Sequence, residues 1–356
     1  MNILILTTDA FGGIGGIAQY NKDLICAIDS SHKIKSITVL ARNIPLETFD
    51  QKNKIRILKR SASGRFQYFL EAVKVSKNDF QLVICGHINL LPLALVCNLF
   101  IKAPIILLAY GIEVWETRLL KRILIQFVTS IWVISNFTKK RMNAWASCRD
   151  ETYKILPNAI HLQQYGLGDK RSDLLKLYGL VGKKVLLTLS RVSALERYKG
   201  HDQIIEAMRE LVFIESSLVY VIAGGGDDLI RLQEKVTLLN LENHVRFIGY
   251  ISDSDKSDIF RLADVFVMPS KGEGFGFVFL EALACGIPVV GSHVDGSKEA
   301  LRDGEMGELV WPDKPNSLKQ GVLMALKKKK DIPAGLHYFS WENFQKRVLL
   351  ALDEVI

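Results

Sequence analysis

Cysteine is scarce and unpatterned in this chain. Five residues (Cys26, Cys85, Cys97, Cys148 and Cys285) are scattered over 356 positions, with no C-x-x-C pair. That spacing excludes a disulfide framework and points to a reducing compartment. Cys85, Cys97 and Cys285 stand in apolar runs, where a thiol behaves as a small hydrophobe. Long uninterrupted hydrophobic runs are also lacking. The most apolar region, 82–109, is broken by His87, Asn89, Asn98, Lys102 and two prolines. It suits a buried strand, a core helix and a second strand better than a membrane span. The first residues carry no basic stretch and no cleavage pattern, so a signal peptide is not expected.

What is present is the composition of a folded protein, with 49% hydrophobic and 24% charged residues. A chain of 356 residues exceeds what one compact core usually uses, so two domains are expected. The net charge of +8 is unevenly placed: residues 1–150 hold 20 Lys and Arg against 10 Asp and Glu, the remainder 26 against 28. A basic N-terminal half points to an anionic partner, a membrane surface or a phospholipid-linked acceptor, when it is not simply a solubilising surface. A nucleic-acid partner is not expected.

Apolar strand-like runs alternate with amphipathic helical stretches. In the first half the strands fall at 3–6, 36–40, 82–85, 105–109 and 131–134, and in the second at 185–189, 218–223, 245–248, 265–268 and 289–291. Continuous Val/Ile/Leu strands separated by helices mean parallel sheets covered on both faces. The pattern occurs twice, with a break near 156–182 that holds Pro157-Asn158, Gly166, Gly168 and Gly179. The expected architecture is α/β: two doubly wound Rossmann-like domains facing a cleft, with ligands at the strand C-terminal ends. The boundaries are 1–160 and 161–339, with the helix 340–356 expected to return to the first domain. The lysine run 327–330 is expected to be a solvated helix end.

Three segments carry chemistry. Residues 268–290 read MPSKGEGFGFVFLEALACGIPVV, a strand end, a Gly-rich turn and a helix closed by Gly286. Such a turn offers free N–H groups and a positive helix end to phosphate or sugar hydroxyls. It also sets Glu273 and Glu281 eight residues apart, and carboxylates are suited to vicinal diols. A cap and a solvent-facing helical residue is the bland reading of the pair. Arg191, after the first strand of the second half, and Lys199, before the next helix, can converge to neutralise a diphosphate leaving group. The third segment, residues 12–16 (Gly-Gly-Ile-Gly-Gly), follows the first strand but does not meet the G-x-G-x-x-G spacing of a dinucleotide fingerprint.

Taken together, EGFGFVFLEALACGIPVV resembles the signature of the large family-4 (glycosyltransferase group 1) type of retaining glycosyltransferases with the GT-B fold. The resemblance implies that Glu273 contacts the donor hexose and Glu281 the ribose hydroxyls. The backbone at Gly274, Phe275, Gly276 and Phe277 would face sugar and diphosphate. Arg191 with Lys199-Gly200 resembles the family's metal-free diphosphate clamp. Residues 12–16 resemble its N-terminal glycine loop, which would bring Gly13, Gly15 and Gly16 to the donor phosphates. Weaker matches are Gly224-Gly225-Gly226 near the nucleotide, Gly249-Tyr250-Ile251 at the base, Pro157-Asn158-Ala159 at the interdomain turn (Ala159 replacing glycine) and Ser340-Trp341 before the returning helix. Matches run from residue 12 to about 341.

The chain departs from that pattern where many members carry His-Gly-x-(Asp/Glu). Here the segment reads Tyr110-Gly111-Ile112-Glu113, so Tyr110 takes the catalytic position. A phenol donates a hydrogen bond but is no base near neutral pH. Glu113, beside Arg118, and His87, at a strand end, are acceptor-side candidates. Asp253-Ser254-Asp255 looks like a D-x-D metal motif but reads as helix capping, and the histidines show no ligand spacing, so neither a metal nor another cofactor is expected.

The function implied is retaining hexosyl transfer from a nucleotide diphosphate sugar, with a UDP-sugar first and GDP-mannose second. The acceptor is a glycan or lipid-linked glycan, and the setting the cytoplasm, peripheral on the inner membrane face. Domain closure with hinges near 157–165 and 338–341 is expected. A non-catalytic nucleotide-sugar-binding protein and an NAD(P)-dependent oxidoreductase or epimerase stay open as alternatives.

Overall fold

A computed structural model describes residues 1–11, 15–43, 54–58, 64–116 and 119–356 of the chain. They form two compact units, Met1–Ala159 with Trp341–Ile356, and Ile160–Ser340.

The first unit holds a seven-stranded sheet of β1 (Asn2–Thr7), β2 (Ser36–Ala41), β3 (Ile55–Ile57), β4 (Leu82–Cys85), β5 (Ile105–Ala109), β6 (Ser130–Val133) and β7 (Tyr153–Ile155). The order is β3-β2-β1-β4-β5-β6-β7 and every pairing is parallel. The central strands are fully buried, which is why they read as unbroken aliphatic runs. Crossovers from β1 to β2 and from β4 to β5 run in opposite directions along the sheet. With right-handed connections their helices fall on opposite faces. Helix Gly16–Asp29 packs with the C-terminal helix Trp341–Asp353 on one face, Tyr20 meeting Phe344 edge-on at 5.6 Å. On the other face Tyr68 and Ala72, Leu91 and Ala94, and Met142 and Ala146 enter one core cluster from three helices.

The second unit holds β8 (Lys184–Leu189), β9 (Leu218–Ala223), β10 (Val245–Gly249), β11 (Val265–Val267), β12 (Val289–Ser292) and β13 (Glu308–Val310). Their order is β10-β9-β8-β11-β12-β13, again all parallel. Chain direction across the sheet reverses between β8 and β11, the point at which doubly wound sheets bind ligands. Helix Phe277–Ala284 ends in a Schellman closure: Gly286, at φ +74°, donates to Leu283 O (2.9 Å) and Ile287 N–H to Ala282 O (3.0 Å).

Two expectations are corrected. The sequence reading missed β3, β7 and β13, each a three-residue strand at a sheet edge. Edge strands are short and half solvated, so they carry no continuous apolar signal. The segment 253–255 does precede helix Lys256–Leu262, but Asp255 makes no side-chain cap. It accepts instead from Ser252 Oγ (2.7 Å), while Asp253 pairs with Lys256 (2.8 Å).

Candidate functional site

At the β8/β11 switch point of the second unit, three loops are tied together by their backbones. Lys271 N–H donates to Tyr198 O (2.8 Å) and Gly296 N–H to Glu273 O (2.9 Å). Two glycines permit this geometry. Gly224 has φ +133°, and a Cβ there would stand 1.8 Å from Ser190 O. Gly276 has φ +89°, and a Cβ would strike the Phe279 ring at 2.4 Å. Neither position accepts a side chain without backbone movement.

The structure brings Arg191 and Lys199 together, and the meeting point is a carboxylate the sequence reading did not single out. Glu196 takes Arg191 Nη2 on Oε1 and Lys199 Nζ at 2.7 Å on Oε2. The Lys199 and Glu196 side chains are largely covered, whereas Arg191 is exposed. Beside them, Asp295 accepts from Glu273 N–H (2.8 Å), Ser270 Oγ (2.6 Å) and Ser297 Oγ (2.6 Å). Burial raises the Asp295 carboxyl. Burial pushes Glu273 up to about 7, with Asp295 and Glu196 adding to the rise and Lys199 opposing it. Three carboxylates thus share one corner with two cations, and one of the acids is poised near neutrality.

Glu281, on the helix after the Gly-rich turn, is 1% exposed. Its Oε1 accepts from Tyr165 OH (2.7 Å) and Lys256 Nζ (3.3 Å), while Oε2 has no hydrogen-bond partner. Burial raises its pKa and Lys256 opposes the shift. A buried carboxylate oxygen without a donor calls for an explanation, because desolvation without a hydrogen bond is costly.

Beneath the loops runs a polar chain that the sequence did not announce. Ser190 Oγ is 3.1 Å from His201 Nε2, His201 Nδ1 is 2.9 Å from Tyr220 OH, and Tyr220 donates to Thr188 Oγ1 (2.9 Å), which donates to Val267 O. It links the ends of β8 and β11. Burial lowers His201 to about 4, with Lys199 adding to the effect, so the ring is neutral near pH 7. The only sequence signal for it was His201 directly after Lys199-Gly200.

The weaker candidates divide. Gly224 N–H donates to Gly249 O (2.6 Å) and Val192 N–H to Gly225 O (3.0 Å), so these turns are docked against the β8 loop. Tyr250 is exposed and Ile251 half-buried. Phe275 is buried edge-on to Phe339 at 5.4 Å, which makes its ring a packing element. Phe277 is half-buried at the first position of its helix, and Gly274 is buried in the turn before it.

In the first unit, Gly13 and Arg118 lie outside the described residues. Gly15, at φ +110°, caps the helix that begins at Gly16. Tyr110 is buried, donating to Asn21 Oδ1 (2.6 Å) with Gly86 O at 3.1 Å, and burial holds its pKa well above the usual value. Its one proton is engaged inside the unit. Glu113 Oε1 accepts from the N–H groups of Tyr110 (2.6 Å) and Gly111 (3.1 Å), closing the turn after β5. His87 Nδ1 accepts from Asn89 N–H (3.0 Å), and burial lowers its pKa, with Glu113 opposing. Among the described residues no group of three or more His, Cys, Asp or Glu is arranged to hold a metal ion.

Known proteins resemble part of this chain in sequence and all of it in fold. Residues 181–334 match the family of glycosyl transferases group 1.

The chain carries a glycosyl transferases group 1 domain.

That domain spans the loops with Arg191, Lys199, Glu273 and Glu281. The chain is 33% identical over 185 residues to the GDP-mannose-dependent alpha-(1-6)-phosphatidylinositol monomannoside mannosyltransferase of Mycolicibacterium smegmatis, covering 50% of this chain and 47% of that one. It is 27% identical over 249 residues to the phosphatidyl-myo-inositol mannosyltransferase of Mycobacterium leprae, covering 68% and 61%. The chain therefore spans about half to three-fifths of the length of these relatives. In three dimensions it is similar to Anabaena HepE crystallised with UDP and glucose, at TM-score 0.79 and 18% identity over 99% of this chain and 100% of that one. WaaG, a glycosyltransferase involved in lipopolysaccharide biosynthesis, follows at 0.66 and 16% over 99% of each chain. These likenesses establish the GT-B fold, the two parallel sheets described above.

Proposed function

We propose that the chain is a retaining, metal-independent glycosyltransferase that moves a hexose from a nucleotide diphosphate sugar to a glycan or lipid-linked acceptor. The observation that carries the reading is the buried Glu281, whose Oε2 has no donor while Tyr165 and Lys256 occupy Oε1. A ribose hydroxyl supplies the missing donor.

Arg191 and Lys199 bind the diphosphate and stabilise the charge that develops on it as the glycosidic bond breaks. Glu273 accepts from hexose hydroxyls. The acceptor hydroxyl attacks the anomeric carbon from the face the diphosphate leaves, and a donor phosphate oxygen takes its proton. The protein contributes orientation and charge neutralisation. A UDP-sugar is the first donor, in line with the HepE complex, and GDP-mannose the second, in line with the mycobacterial relative. The setting is the cytoplasmic face of a membrane where polysaccharide or glycolipid is built.

The test is a thermal-shift and transfer series with UDP-glucose and GDP-mannose, with and without EDTA. One donor raises Tm, Glu281→Ala abolishes that shift, and turnover survives chelation. Donor binding with no transfer to any acceptor extract would turn the reading into a nucleotide-sugar-binding protein. Loss of turnover in EDTA would remove metal independence.

A further inference from the structure

Glu281 sits in the second turn of helix Phe277–Ala284, against the shorter helix Lys256–Leu262. Its two oxygens are unequal. Oε1 carries both donors, Tyr165 OH and Lys256 Nζ, and Oε2 carries none. A proton that neutralised this buried acid would settle on the bare oxygen. Oε2 would then donate a hydrogen bond instead of accepting one. The oxygen offered to a ligand is therefore the one that protonation disables.

Burial favours that proton, and one cation opposes it. Lys256 Nζ stands 3.3 Å from Oε1, with its side chain 23% exposed. The other ionisable groups around Glu281 do not supply a second positive charge. Burial holds Tyr165 and Cys285 neutral, the thiol pushed up to about 11. Arg261 pairs with Asp258 (3.1 Å), and Lys330 donates to Arg261 O (3.0 Å). The charge of Asp253 adds to the rise at Glu281.

Lys256 is itself shared. Asp253 Oδ1 lies 2.8 Å from the same ammonium, closer than Glu281, and its side chain is 76% exposed. An exposed carboxylate thus competes with a buried one for a single cation. The charge on Glu281 depends on how that ammonium is divided.

We infer that Lys256 is the positioning residue of the donor site: its ammonium holds Glu281 as an anion with Oε2 open to a ribose hydroxyl, and Asp253, by sharing that ammonium, sets how firmly. This rests on the donor-site reading above and names the residue that keeps Glu281 an acceptor.

Calorimetric titration of the full chain with UDP-glucose, from about pH 5 to about pH 9, tests it. The diphosphate diester of this probe does not ionise in that range. Affinity falls on the acid side as Glu281 takes up its proton. K256M removes the opposing charge, so the fall moves to higher pH by about one unit or more. At a pH below both midpoints that shift reads as binding about tenfold weaker. K256R restores the profile, and D253N, which leaves the ammonium to Glu281 alone, moves the fall to lower pH. Glu273 titrates as well, and E281Q identifies the step that belongs to Glu281: that variant lacks it, with or without K256M. A K256M loss by the same factor at every pH would mean a packing role and overturn the inference. So would a D253N profile identical to wild type, a result that stays readable even if K256M does not fold. Failure of wild type to bind either UDP-glucose or GDP-mannose would instead remove the donor-site reading, and this inference with it.

Discussion

The two units are built on one plan and finished differently. Both lay their first six strands in the order 3-2-1-4-5-6, so both have a switch point beside the first strand. In the second unit that point gathers ionisable groups that are poised: Glu281 with a free oxygen, Glu273 near neutrality, and Arg191 and Lys199 sharing Glu196. In the first unit the described groups at the same place are mostly satisfied, Asp9 Oδ1 being a buried exception without a partner. Tyr110 donates to Asn21, whose amide bonds Thr7 Oγ1 (2.9 Å) and Asp9 O (2.6 Å). One topology thus gives a charged, poised site in one unit and a largely satisfied hydrogen-bond network in the other. The difference lies in the loops and not in the sheet.

The largest effect expected from breaking this asymmetry is on turnover. Lys199→Ala or Glu281→Ala should cost about two to three orders of magnitude with far-ultraviolet dichroism unchanged. Turnover within twofold of wild type for both would mean the poised groups are not the site.

Next in size is a backbone effect. Gly224→Ala drives a Cβ toward Ser190 O at positive φ and should cost the second unit about 3 kcal/mol. Gly15→Ala, where nothing stands within 4 Å, should cost about 1 kcal/mol. Denaturant melts of the two variants compare them directly, and equal losses would contradict the close approach at Gly224.

A pH experiment sharpens the comparison further. Glu273 is raised to about 7 in the folded chain, so between the ordinary glutamate range and 7 the native state holds a proton the unfolded state lacks. Stability from this group is therefore present at low pH and lost as pH rises through 7. Glu273→Gln should stabilise the ligand-free chain by about 2–3 kcal/mol at pH 8, with the gain vanishing near pH 4. Melting curves at the two pH values check it, and a gain independent of pH would rule out the titration.

The smallest effect is expected in the first unit. Tyr110→Phe removes one buried hydrogen bond and should cost about 1 kcal/mol, with turnover changed only a few-fold. A loss in turnover as large as that of Lys199→Ala would show the phenol acting on substrate and erase the contrast between the units.

How much of this was legible follows from distance along the chain. Glu273 and Glu281 fall within one turn and helix, so a local pattern exposes them. Asp295, which holds the Glu273 backbone, and Tyr165, which holds Glu281, are 22 and 116 residues away from their partners. No local pattern reports such pairs. Asp295-Gly296-Ser297 did carry a turn signal, and Glu196 stands three residues before Lys199, but neither residue type announces which group it will meet.

By itself the sequence determined the class of fold, because fully buried parallel strands must be written as continuous aliphatic runs and the crossovers as helices between them. It also determined the Gly-rich turn, since the positive φ at Gly276 demands that residue type. The tertiary structure alone decided which charges meet and which are satisfied. It left Glu281 Oε2 without a donor and gave Tyr110 two acceptors. Those outcomes depend on burial and on partners remote in sequence, and electrostatic and hydrogen-bond energies are set by where groups end up in space rather than by their order in the chain.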